Sequence, residues 1–72
     1  MSSGNVAERF GKRLRHLREK AGMSQGDLSH KFGIDRGHVS DLENGKKKVG
    51  LAMLETIADG FGITISELMK SV

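Results

Sequence analysis

The stretch MSQGDLSHKFGIDRGHVSDLENGK, Met23–Lys46, holds two short helix patterns divided by a glycine turn, and its reading decides the fold. Ser24 stands ahead of Gln25, Gly26 and Asp27. That order puts a hydroxyl acceptor at an N-cap and a carboxylate at the third helical position, near the positive end of the helix dipole. Leu28 and Phe32, four apart, share one face, and Gly33 supplies the left-handed residue that closes the helix. Ile34 plugs the turn and Asp35 is the next N-cap. The segment that follows, Arg36–Glu43, has only Val39 and Leu42 as apolar residues. A helix buried along so narrow a stripe presents most of its side chains outward, and Gly37 inside it costs roughly 0.5–1 kcal/mol relative to alanine. Such a segment is suited to contact with something outside the domain rather than to local stability. Asn44 and Gly45 end it, and Lys46, Lys47 and Lys48 follow as a basic loop.

The same spacing argument extends in both directions. Upstream, Val6, Phe10, Leu14, Leu17 and Ala21 recur every three or four residues and predict a first helix that closes at Gly22. Its other face carries Arg9, Lys12, Arg13, Arg15 and Lys20. Downstream, Leu51, Leu54, Ile57, Ala58 and Phe61 predict a fourth helix stopped by Gly62. Thr64 with Glu67 three residues on is a capping box that opens a short fifth helix with Leu68 and Met69. The expectation is one all-α domain of five helices over residues 1–72, with its core in about 10–69 and residues 1–5 flexible.

Composition narrows what such a domain does. With 72 residues, 36% of them hydrophobic, the chain is too short for an enzyme with a deep pocket, and without cysteine it has neither disulfides nor thiolate metal sites. No apolar run approaches the roughly 18 residues of a membrane span, and no basic head precedes an apolar stretch. A soluble cytoplasmic chain is expected, with no sensor domain attached. His16, His30 and His38 lie far apart and form no metal-binding or nucleophilic pattern, so no metal, cofactor or catalytic group is expected. The net charge of +3 is unevenly spread. Residues 1–48 hold eleven basic and six acidic side chains, whereas residues 49–72 hold Lys70 against Glu55, Asp59 and Glu67. The basic part suits a polyanion, and the near-neutral apolar part suits packing or self-association.

Two short helices joined at Gly33 and Ile34, the second mostly polar, form a helix-turn-helix pattern. The chain resembles the helix-turn-helix regulators of the Cro and CI type, the XRE family, from about Phe10 to Met69. The likeness rests on Leu17 and Arg18, Ser24 and Gln25, Leu28 and Gly33, and Val39 with Leu42-Glu43-Asn44-Gly45. Leu54, Ile57, Ala58 and Gly62 complete it. It departs from the family after Lys48, where Val49 and Gly50 replace a common proline and hydroxyl cap, and at Gly60, where a better helix former is usual. Those departures blur the start of the fourth helix.

The resemblance implies a sequence-specific regulator of transcription that binds double-stranded DNA with its third helix in the major groove. It assigns base reading to Arg36, Gly37 and Asp41, with Asp35, His38 and Ser40 close enough to help. Arg36 can donate to guanine O6 and N7, or lie on the surface paired with Asp35 or Glu43; Asp41 can accept from cytosine N4 or hold Arg36. Gly37 has no side chain to read with and lets the helix approach the bases. Carboxylates beside phosphates weaken non-specific binding and so favour specificity.

Gln25, Asn44, Lys46, Lys47 and Lys48 fall where the family grips the phosphate backbone, and Gln25 also braces the recognition helix. Lys12, Arg13 and Arg15 are expected to be solvated. Arg18 and Glu43 resemble a partly buried structural ion pair. A dimer on a near-palindromic operator is implied, and Ile63, Ile65, Leu68, Met69 and Val72 are the expected interface. Asp35-Arg36 followed by Val39-Ser40, together with size, is similar to the controllers of restriction-modification systems. A phage or plasmid repressor, an antitoxin with a toxin as partner, and an interaction module that has lost DNA binding remain open.

Overall fold

The computed structural model describes residues 4–72; residues 1–3, part of the segment expected to be flexible, lie outside the described residues. The described residues form five helices in the order α1 (Val6–Lys20), α2 (Gln25–Phe32), α3 (Arg36–Glu43), α4 (Leu51–Phe61) and α5 (Ile65–Leu68), with no strand among them. Every start except that of α4 has a side-chain cap. Asn5 and Ser24 make reciprocal capping boxes with Glu8 and Asp27, while Asp35 and Thr64 each accept a backbone N–H three residues on. Asn5, in the segment expected to be flexible, is the N-cap of α1. At α5 the box is half-made: Thr64 Oγ1 accepts from the Glu67 amide at 3.0 Å, and the Glu67 carboxylate turns to Arg13 instead. Gly50 stands at the N-cap of α4 without a side-chain bond.

The core is Phe10 and Leu14 from α1, Leu28 from α2, Val39 and Leu42 from α3, Leu54, Ile57 and Ala58 from α4, and Leu68 from α5. Each helix therefore contributes, and α1 and α2 both pack on α3. Leu68 is fully buried in this core, which removes it from the expected dimer surface. Two positions that fit the apolar spacing are also turned outward: Leu51 is 83% exposed and Val6 56% exposed. Both stand at the first position of their helices, where the stripe begins before the neighbouring helices cover it.

Two glycines set how closely the helices approach. A Cβ on Gly11 would lie 2.6 Å from the Leu42 carbonyl oxygen and nearer still to that of Glu43, so α1 meets the backbone at the end of α3. A Cβ on Gly60 would run into the Phe32 ring, which packs edge-on against Phe61 with centroids 5.7 Å apart. Gly60, which departs from the family pattern, is thus the seat of Phe32. Alanine is the better helix former by about 1 kcal/mol. At Gly11 the overlap with backbone outweighs that gain, so Gly11→Ala is expected to lower the stability by about 1–3 kcal/mol in urea unfolding.

Candidate nucleic-acid interface

Three helices meet at one carboxylate. Glu43, 7% exposed, closes α3 and accepts a two-pronged bond from Arg18 of α1, Nε to Oε2 at 2.6 Å and Nη2 to Oε1 at 3.0 Å. Gln25 Nε2, at the first position of α2, donates to the same Oε1 at 3.1 Å. Arg18 Nη1 donates to the Met23 carbonyl at 2.9 Å, which pins the turn between α1 and α2. The hydrogen bond to Glu43 raises the Arg18 pKa further above its usual value, against the opposing effect of desolvation. No buried side-chain nitrogen or oxygen among the described residues is left without a partner. A buried pair with every prong engaged holds geometry well, and removing one partner leaves a buried charge.

The turn between α2 and α3 is fixed as firmly. Gly33 takes φ 68°, the left-handed conformation its sequence position predicts. The Ser29 hydroxyl donates to the Ile34 carbonyl, and the Ile34 amide donates to the Ser29 carbonyl at 3.2 Å. Asp35 then caps α3, accepting from the His38 amide at 2.8 Å. At 3.6 residues per turn, the buried side of α3 runs through Val39, Leu42 and Glu43, and the outer side through Gly37, Ser40 and Asp41, with Arg36 at its edge. His38 is half-buried on the flank.

The base-reading candidates therefore divide. Arg36 is exposed and has no hydrogen bond or ion pair among the described residues, so it pairs with neither Asp35 nor Glu43, and Asp41 does not hold it. Asp41 lies 3.9 Å from Lys47 instead, a half-exposed contact. Asp35 has one carboxylate oxygen engaged as the cap. Asn44 is drawn back along α3, donating to the Ser40 carbonyl at 2.9 Å and to its hydroxyl at 3.3 Å.

Beside α3, Lys46, Lys47 and Lys48 are all exposed in the loop after Gly45. The Lys46 amide bonds to the Asp41 carbonyl at 2.9 Å, so the loop starts from a fixed point. The Gln25 and Gly26 amides precede the first hydrogen bond internal to α2 and stand at its positive end. An anion at that end meets N–H donors directly. Gln25 reaches Glu43 at the end of α3 from which the lysine loop departs, so the α2 terminus and the lysines lie toward that end and Arg36 at the other.

Arg13 departs from the solvated role expected of it. Its Nε donates to the Leu68 carbonyl at 3.2 Å and its Nη2 to the Glu67 carbonyl at 2.8 Å, so it ties α1 to the end of α5. No local pattern signals this contact between residues more than fifty apart in the chain. Arg15 makes an exposed pair with Glu19, and Lys12 is exposed. The three histidines sit on three different helices, and the described residues hold no cluster of His, Asp and Glu suited to a metal ion.

A polar helix held outward by a glycine turn and flanked by cations defines a helix-turn-helix DNA-binding protein. The family model described as helix-turn-helix matches residues 14–68, and the chain belongs to that family. It is 45% identical over 69 residues to control protein C.MunI of Mycoplasma sp, covering 94% of this chain and 93% of that one. To control protein C.BamHI of Bacillus amyloliquefaciens it is 31% identical over 68 residues, 93% of this chain and 84% of that one. The crystal structure of the restriction-modification controller protein C.AhdI from Aeromonas hydrophila superposes with a TM-score of 0.81 at 37% identity, covering 86% of this chain and 94% of that one.

Two outcomes follow from the caps and the pair. Arg18→Met is expected to cost about 3–5 kcal/mol in urea unfolding, because Glu43 is left buried without its cation. The backbone N–H of Ser24 holds the Asp27 carboxyl below its usual range. Its contribution is therefore present above the unfolded value of about 3.9 and is lost as pH falls through the lower folded value. Asp27→Asn should be less stable than the parent at neutral pH, and the two unfolding midpoints should converge in acid.

Proposed function

We propose that the protein is a dimeric, sequence-specific transcriptional regulator that reads a near-palindromic operator in double-stranded DNA with α3. The observation that carries this reading is the free outer face of α3 with its unpaired Arg36, held in place by the buried Glu43 cluster. Arg36 is the base reader, suited to guanine O6 and N7, and Asp41 and Ser40 supply an acceptor and a small polar contact beside it. Gly37 lets the helix settle close to the base edges, and Asp35 serves chiefly as the cap. His38 is a flank contact. Lys46, Lys47, Lys48 and the N–H groups at the start of α2 hold phosphates, with Gln25 bracing α3, and Asn44 reaches a phosphate by releasing Ser40.

The dimer reading rests on the apolar surface that α5 leaves open. Ile65 is 43% exposed, and Ile63, Met69 and Val72 are half-buried. Met69 also lines a mostly apolar groove with Val6, Ala7, Phe10, Lys48, Val49 and Leu54. To read two half-sites, a two-fold pairing there has to space the two α3 helices about 34 Å apart, one turn of DNA.

Among the roles that the sequence leaves open, control of a restriction-modification system has C.MunI, C.BamHI and C.AhdI as relatives in its favour. The place of work under this reading is the cytoplasm, with the DNA; no helix among the described residues is long and apolar enough to cross a membrane.

Selection of bound duplexes from a random pool is expected to return a two-fold symmetric site, with affinity falling steeply as salt rises. Arg36→Ala should cost about 1–3 kcal/mol and relax the preference at one base pair in each half-site. Binding indifferent to both salt and Arg36 would overturn the reading. Ile65→Asp is expected to shift sedimentation at micromolar concentration from dimer to monomer while leaving the circular dichroism spectrum unchanged.

A further inference from the structure

A second group of cations lies where the DNA-reading surface does not reach. Gly11, Leu14 and Arg18 mark the side of α1 that meets the core and α3. At 3.6 residues per turn, Arg9, Lys12, Arg13 and His16 fall roughly half a turn away from them. With Lys70 and Ser71 these four line a shallow concavity between α1 and the last residues of the chain. From Arg9 to His16 the stripe runs about 10 Å along the helix.

Its members are of two kinds. Arg9 and Arg13 are anchored: Arg9 donates to the Val72 and Gly4 carbonyls, and Arg13 donates to the Leu68 and Glu67 carbonyls and meets the Glu67 carboxylate at 3.4 Å. Lys12, His16 and Lys70 are exposed, with no side-chain hydrogen bond or ion pair among the described residues. The result is a fixed guanidinium floor rimmed by the exposed ammonium groups of Lys12 and Lys70, with the His16 imidazole beside them.

We infer that this face of α1 binds the phosphates of a second DNA duplex while α3 faces the first, so that one assembly bridges two duplex segments. The inference rests on the DNA-reading role of α3 for the first duplex. The domain is 23 Å across in its narrowest direction. Electrostatic reach at physiological salt is about 8 Å, so a duplex seated on α3 does not engage the far stripe. The choice of duplex over a protein partner follows from the lining. Protein interfaces centre on buried aromatic or aliphatic anchors, and none lines this concavity, whereas phosphates need only cations that can follow them.

The test immobilises a duplex carrying the selected site, saturates it with protein, and adds a labelled duplex lacking that site at about 0.1 M salt. The wild type should retain the labelled duplex, and retention should fall as salt rises. The Lys12→Glu/Lys70→Glu variant, with an unchanged circular dichroism spectrum and the sedimentation of the parent, should stay on the immobilised duplex yet retain at least about fivefold less label. Equal retention by the variant, or none by the wild type, overturns the inference. So does Lys12-dependent and Lys70-dependent retention of labelled polyglutamate but not of the duplex, which would mark an acidic protein as the partner. Protein bound to the immobilised duplex is read separately; its absence would overturn the DNA-reading role of α3 and the bridging with it.

Discussion

The buried carboxylate of Glu43 is the point on which the arrangement depends. It ends α3, and its two oxygens receive Arg18 from α1 and Gln25 from α2. A single residue thereby fixes α3 against both helices that pack on it. The pair is half of the constraint; the other half is steric, because Gly11 lets α1 rest on the backbone where α3 ends. Moving α3 would break charged bonds in a buried place and open a gap beside Gly11. In a chain of 72 residues with nine buried apolar side chains among those described, such a contact supplies positional definition that packing alone supplies weakly.

That rigidity explains why the outer face of α3 can be so poor in stabilising residues. Arg36 and Gly37 are exposed, Ser40 and Asp41 only half-buried, and Gly37 weakens the helix, but Val39, Leu42 and Glu43 hold it from below. Freed from structural work, the outward positions are available for contact chemistry. Lysines 46–48 follow from the same geometry: their loop begins at the fixed end of α3, so its cations stay beside the face while remaining mobile.

Much of this was legible in the sequence, and the reasons are local. Caps at Ser24, Asp35 and Thr64, left-handed glycines at 22, 33 and 62, and three-four apolar spacing act over a few residues, so they place the helices without tertiary knowledge. The Arg18 and Glu43 contact was legible only through the family resemblance, since nothing local joins residues twenty-five apart. What escaped depends on the assembled fold. Leu68 reads as surface on a four-residue helix but is wholly covered, and Leu51 reads as core but lies at a helix start that nothing reaches. Gly60 reads as a weak helix former until Phe32 is seen in the space it leaves. Arg13 reads as solvated because its shorter bonds go to carbonyls, which leave no trace in residue type, and its carboxylate partner Glu67 is 54 residues away in the chain.

The central claim is that α3, positioned by Glu43, is the surface that meets DNA. Amide chemical shifts measured during titration with a duplex carrying the selected site test it most directly. The account predicts the largest changes at Gln25 and Gly26, along Arg36–Asp41 and through Asn44–Lys48, with the buried positions around Leu54 and Ile57 little moved. Changes concentrated on α4 and α5, with the amides of α3 unaffected at saturation, would contradict it.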